Sequence, residues 1–260
     1  MNIVVFLKMV PDVVEELEIS SDEKSLDTEW LRMIISEPCE HALEQAILMK
    51  EAYGGRVTAI ALEAPEVDDV LYTALAKGAD RAIKLPGDWS GISSPLEAQI
   101  YSTLVSEGIV GITDETLILT GSQAIDDLTG ELGAYLAGML DLPYIGVVTG
   151  VTVDTTSKQA TVFKEFSGGL KGEFGVPLPA VLGIQAAEKP PRYVPVAKIR
   201  AMMKSIQYET RQVSPPAVSA RFTAKKMFKR EVTGRAEMLK GSPEEISNRI
   251  ADILADRGLL

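Results

Sequence analysis

Short apolar, β-branched runs alternate along this chain with stretches of helical period, and that alternation restricts the fold more than any other feature. Asn2–Leu7, Val57–Leu62, Arg81–Leu85, Leu117–Leu119 and Tyr144–Val148 read as strands of a buried sheet. The first helix opens at Ser36-Glu37-Pro38, with Ser36 as N-cap and Pro38 in the first turn, and ends at Gly54-Gly55. Its face carries Cys39, Leu43, Ala46, Ile47 and Lys50. Glu66–Lys77 groups Val67, Val70, Leu71, Ala74 and Leu75, and Leu96, Ile100 and Leu104 mark a third helix. Leu132, Tyr135, Leu136, Met139 and Leu140 mark a fourth. Such alternation means βαβ units with right-handed crossovers, hence an α/β fold: a Rossmann-like parallel sheet with helices on both faces.

Two stretches depart from this pattern. Residues 12–35 are polar and irregular, a long excursion with room for a small hairpin. From Val151 the texture changes: Val151-Thr152-Val153, Ala160–Phe166 and Lys171–Val176 are short strands broken by Thr155-Thr156-Ser157 and Gly168-Gly169. Leu178–Ile184 is apolar enough to return to the main sheet, and Pro190-Pro191 and Pro195 stiffen an exposed loop. Residues 198–240 are mixed, basic and Met-rich, include Ser214-Pro215-Pro216, and lead to a last helix with Ile246, Ile250, Ile253 and Leu254 on one side. The expected organisation is a nucleotide-binding α/β domain over 1–206, with a hairpin region at 151–176, and an extended C-terminal arm over 207–260. A tail of that kind needs a partner chain to lie on. The alternative is a tail folded back on its own domain.

Composition narrows the function. Asp and Glu total 37 against 26 Lys and Arg, a net charge of −11, so a general nucleic-acid role is excluded for want of a basic face. The one Cys rules out an internal disulfide and a Cys-rich zinc or cluster site within this chain. No apolar run approaches the roughly 20 residues of a membrane span. The N-terminus lacks a signal-peptide layout, so a cytoplasmic protein is expected.

The chemistry is concentrated at Leu117–Gly133. After the strand, Gly121, Ser122, Gln123, Ala124, Ile125, Asp126, Asp127, Leu128 and Thr129 form a tight polar loop, and a helix follows Gly130. A strand, a small-residue loop and a helix start make a natural nucleotide seat, with backbone N–H groups aimed at an anion. Two carboxylates would repel phosphate. Asp126 and Asp127 therefore face ribose hydroxyls or cap backbone donors, while Ser122, Gln123, Thr129 and the main chain face phosphate. The competing reading is a plain turn in which Asp126, Asp127 or Thr129 caps the helix. Ser167-Gly168-Gly169 resembles the S-G-G of ATP pyrophosphatases but falls between hairpin strands and reads as a turn. His41, beside Glu40 and Glu44, reads as a satisfied surface side chain and Cys39 as a packed thiol.

Several pieces resemble the β subunit of electron-transfer flavoproteins, in order and over nearly the whole chain. Lys8-Met9-Val10-Pro11-Asp12 is similar to the family's K-x-V-P-D turn, and Ser36–Ala46 to its N-P-x-x-E-x-A-x-E-E-A helix start. Ala74–Ala82 is similar to A-L-A-M-G-A-D-R-A, and Gly121–Asp126 to G-x-Q-A-I-D. Leu178–Val181 and Pro191-Arg192-Tyr193 are similar to L-P-A-V…N-E-P-R-Y. Ser36-Glu37 stands in place of Asn-Pro, Lys189-Pro190 in place of Asn-Glu, and Lys164 where an Arg precedes Glu165.

The resemblance implies a heterodimer with an electron-transfer flavoprotein α subunit that holds most of an FAD. It implies electrons from an acyl-CoA dehydrogenase-type flavoenzyme and a structural AMP in the β subunit. In electron-bifurcating members a second FAD replaces AMP and meets NADH. By position, the nucleotide residues are Phe6, Ser36, Glu37, Pro38, Cys39, Glu63 and Gly121 through Thr129. Residues 189–200, with Arg192, Tyr193 and Val196, fall in the family's docking loop for the partner dehydrogenase, and the C-terminal arm reaches over α. On this reading the chain is an electron carrier without catalysis of its own. The rival of another class is a stand-alone universal-stress-type nucleotide sensor, which needs no chain beyond Val151.

Overall fold

A computed structural model describes residues 1–213, 224–230 and 236–260; Ser214-Pro215-Pro216 and Arg221 lie outside the described residues. The first strand, β1 (Asn2–Leu7), sits at the middle of a sheet. Its residues alternate: Ile3, Val5 and Leu7 enter the core on one face, Val4 and Phe6 the core on the other. That alternation is why the run is apolar throughout. The short strands β2 (Met9–Pro11) and β3 (Met33–Ile35) pair antiparallel and pinch off the excursion between them.

The expected units follow: α1 (Glu37–Tyr53), β4 (Arg56–Leu62), α2 (Val67–Lys77), β5 (Arg81–Leu85), α3 (Ser94–Ser106), β6 (Thr116–Gly121) and α4 (Leu132–Leu140). Helices α1 and α2 cover one face, α3 and α4 the other. The later strands are β7 (Tyr144–Asp154), β8 (Gln159–Phe166), β9 (Leu170–Pro177) and β10 (Ala180–Ile184), then α5 (Val196–Ser205), β11 (Glu209–Thr210) and α6 (Pro243–Asp256). The nine-stranded sheet runs β11-β5-β4-β1-β6-β10-β7-β8-β9.

Two features differ from the sequence reading. Tyr144–Val148 and Val151–Val153 are one strand, not two. An irregularity between Val148 and Gly150 lets β7 pair parallel with β10 at one end and antiparallel with β8 at the other. Past residue 206, β11 pairs parallel with β5 and Val213 is buried in the core, so the start of the arm still belongs to the sheet. Glu209 holds that edge: Arg81 donates to it through Nε at 2.5 Å and Nη2 at 2.8 Å. Pairing at β5 also covers an otherwise open sheet edge. Ser167–Gly169 is a turn between β8 and β9, as read.

Candidate functional site: a crevice between β1 and β6

The strand order reverses at β1 and β6. From β1 the chain builds outward to β4 and β5, and β6 starts the other half of the sheet. Backbones diverge at the carboxyl ends of such a strand pair and leave a crevice. Lys8 after β1, Cys39 in the first turn of α1 and the loop after β6 line it.

Close backbone approach shapes the loop. A Cβ on Gly121 would lie 3.0 Å from the Cys39 nitrogen and sulfur, so only glycine lets β6 end against α1. Gly130 has φ +63°, and a Cβ there would lie 2.4 Å from the Ser122 carbonyl oxygen. Between them, Ala124 and Asp127 exchange backbone hydrogen bonds. The Ser122 hydroxyl donates to Gln185 Oε1 at 2.6 Å.

The two carboxylates are both engaged. Lys8 Nζ lies 3.0 Å from Asp126 Oδ1. Ser94 donates to Asp127 Oδ2 at 2.5 Å, and Thr129 to Oδ1 at 2.6 Å. Burial opposes the charge on Asp127, but these hydroxyls and Lys8 outweigh it and hold the carboxyl below its usual value. Burial likewise works against the Lys8 ammonium, and Glu97, Asp126 and Asp127 overcome it, raising its pKa. Lys8 and Ser94, from outside the loop, thus offset much of the repulsion expected from the sequence.

Three side chains around the crevice escaped sequence reasoning. Lys8 was visible as the start of the K-x-V-P-D turn, but not as a partner of the loop carboxylates. Glu97 on α3 is buried; its Oε1 accepts from the Tyr101 hydroxyl at 2.9 Å, and its Oε2 has no partner among the described residues. Burial pushes the Glu97 carboxyl up, Lys8 opposing. Tyr101 in turn stacks on Phe6 with ring centroids 3.9 Å apart. No motif announces Glu97, because the charges around it, Lys8, Asp126 and Asp127, come from distant segments.

The remaining expected nucleotide residues divide. Ser36 precedes α1 and is buried, but its side chain makes no capping bond, so Glu37, Pro38 and Cys39 open the helix without a side-chain cap. Burial pushes the Cys39 thiol up. The Phe6 side chain lies in the core under Tyr101, not in the crevice. Glu63 follows β4 away from the crevice lining, where it accepts from the Gly87 backbone N–H at 2.9 Å. Ile125 and Leu128 are exposed at the loop tip. The Gln123, Leu128 and Thr129 backbone N–H groups donate to nothing among the described residues.

This donor set suits an anion bearing hydroxyl groups: open backbone amides, the amino end of a 17-residue helix and the Lys8 ammonium. The space does not suit a nucleotide as the loop stands. The cavity is about 10 Å³, room for one water, whereas small-molecule sites take roughly 300 Å³ or more.

The expected docking residues lie on the outer flank of α1. The Ala187 backbone donates to His41 Nδ1 at 3.2 Å, and that of Glu188 to Gln45 Oε1 at 3.1 Å. Arg192 turns inward rather than toward solvent, and its pKa is raised first by the Glu51 carboxylate and then by Glu44. Tyr193 is 83 % exposed and Val196 is also exposed. At the other end of the chain, α6 buries no residue, while 224–230 lies against the excursion, with Lys226 3.0 Å from Glu23 and Lys229 3.3 Å from Glu18. Among the described residues there is no cluster fit to hold a metal, and no helix is long and apolar enough to cross a membrane.

Comparison with known proteins fits this geometry. The model of the electron transfer flavoprotein domain matches residues 26–218. The mitochondrial electron transfer flavoprotein subunit beta of Arabidopsis thaliana is 33% identical over 215 residues, covering 82% of each chain. The electron transfer flavoprotein subunit beta of Methylophilus methylotrophus is 26% identical over 98% of each chain, and that of Clostridium acetobutylicum 33% identical over 76% of this chain and 74% of its own. By this match, the chain belongs to the electron transfer flavoprotein family, with its similarity running to the β subunits.

Proposed function

We propose that this chain is the β half of a two-chain electron carrier. An α subunit holds most of an FAD, and the pair takes electrons from an acyl-CoA dehydrogenase-type flavoenzyme and passes them to a downstream acceptor. The FAD supplies the redox chemistry, and this chain shapes its surroundings and docks partners. AMP occupies the crevice between β1 and β6 as a structural ligand. The loop 121–130 opens to admit it, with Gln123, Leu128 and Thr129 amides and Lys8 toward phosphate and Asp126 or Asp127 toward ribose. The end of the arm, helix α6, lies on α.

One observation carries the two-chain reading: among the described residues, α6 buries none of its apolar side. A 14-residue helix with that face open needs a second surface. Family membership speaks against the stand-alone nucleotide sensor.

Co-expression with an α subunit tests the proposal. The expected product is a yellow heterodimer that releases one AMP per β chain on denaturation, identified by mass. A colourless product that does not associate overturns the carrier reading, and release of a second FAD replaces AMP with the bifurcating, NADH-oxidising form. Asp126→Ala or Thr129→Ala is expected to lower nucleotide retention more than Asp114→Ala, a loop control paired with Lys158. Equal retention in all three removes the site assignment.

A further inference from the structure

We infer that Glu44 and Glu51, acting through Arg192, preform the strap 187–195 as a docking tooth for a partner with an acid-rimmed apolar cleft. The inference rests on the proposed docking role of this loop and names what sets its shape and specificity.

The geometry is that of a clamp. Glu44 is only 2 % exposed, and its two oxygens accept the Arg192 backbone N–H at 3.0 Å and Nε at 2.8 Å. Arg192 Nη1 reaches Glu51 Oε1 at 2.6 Å and Nη2 reaches Oε2 at 3.1 Å. Glu44 and Glu51 lie two helical turns apart on α1, so one guanidinium fork spans both and fixes its own backbone. Val194 is buried just beyond. With 192 and 194 held inward, Tyr193 between them is driven outward, and Val196 stands at the start of α5. The strap exposes an aromatic side chain, and the start of α5 an aliphatic one, on a backbone already fixed before binding.

Charge names the partner's chemistry. Residues 187–206 contain Lys189, Arg192, Lys198, Arg200 and Lys204 against the single acid Glu188, in a chain of net charge −11. Lys189, Lys198, Arg200 and Lys204 are exposed. An apolar tooth followed by a run of exposed cations, on an otherwise acidic protein, matches an apolar cleft with a carboxylate rim.

The test uses the heterodimer with an acyl-CoA dehydrogenase, reduced by its acyl-CoA, as electron donor. Glu51→Gln removes an exposed half of the clamp without disturbing the core, and Arg192→Lys keeps the charge but loses the fork. Both are expected to speed amide exchange across 187–196 by about tenfold or more and to raise the KM for the donor about 3- to 10-fold, with kcat and bound flavin unchanged. Salt is expected to raise the wild-type KM. Unchanged exchange in both variants overturns the clamp. Faster exchange with unchanged KM, while Val196→Ala raises KM, overturns the inference but leaves the docking role. A Val196→Ala variant with wild-type KM removes the docking role itself. If the wild-type pair is not reduced by this donor, the donor class is wrong, and exchange alone then decides the clamp.

Discussion

Helices α1 and α6 start from similar local ingredients and end differently. Helix α6 has the better cap: the Ser242 hydroxyl accepts from the Glu245 backbone while the Glu245 carboxylate accepts from the Ser242 backbone. Helix α1 has no side-chain cap at all. Yet α1 buries Ala42, Leu43, Ala46 and Ile47 against β1 and β6, and α6 buries nothing. Packing holds α1; capping holds α6 until something covers it. The contrast also separates two kinds of charge. On α1, Glu44 is buried and bound by Arg192; on α6, Glu244 and Glu245 stay in water and favour the helix start through the dipole.

Substitutions sharpen that contrast. Leu43→Ala in α1 leaves a cavity in a closed core and is expected to lower stability by about 3 kcal/mol in urea unfolding. The same truncation in α6, Ile250→Ala, is expected to shift the unfolding of the lone chain by less than about 0.5 kcal/mol but to weaken heterodimer assembly about tenfold. A large loss in the lone chain would mean that α6 packs on its own sheet and would break the comparison. Ser242→Ala removes the cap and is expected to cost about 1 kcal/mol of helix stability, seen as reduced helical circular dichroism with the main unfolding transition unmoved.

The smallest effect concerns the point where the arm leaves the sheet. Arg81, with Arg211, draws the Glu209 carboxyl from 4.5 down to about 2, against a smaller burial penalty. Because the folded value is depressed, the contribution of this pair is fully present above 4.5 and lost as pH falls through about 2. The pair is partly exposed, so solvent screens it and the change is modest. Glu209→Gln is therefore expected to flatten the acid limb of the stability profile slightly. An identical limb in both proteins would mean that β11 does not depend on this pair.

Much of the site was legible as a segment but not as a constellation. The loop 121–129 was readable from glycines and small polar residues crowded between a strand and a helix. Its charge balance was not, because Lys8 and Ser94, which occupy Asp126 and Asp127, come from other elements. Arg192 read as a docking residue only through the resemblance of Pro191-Arg192-Tyr193 to the family's motif. Its inward turn depends on Glu44, 148 residues earlier in the chain.

The amino-acid order alone determined the alternation of strands and helices, the buried character of β1 and β6, the turn at Ser167–Gly169 and the last helix with its apolar side. Each follows from periodicity or from contacts within a few residues, where backbone sterics and side-chain reach leave few choices. Only the tertiary structure decided that β10 slips between β6 and β7, that β7 runs on through its irregularity, and that Glu97 is buried while Arg192 is clamped. Those outcomes depend on which distant surfaces meet, and a pattern with a period of two or 3.6 residues specifies a face without specifying what will cover it.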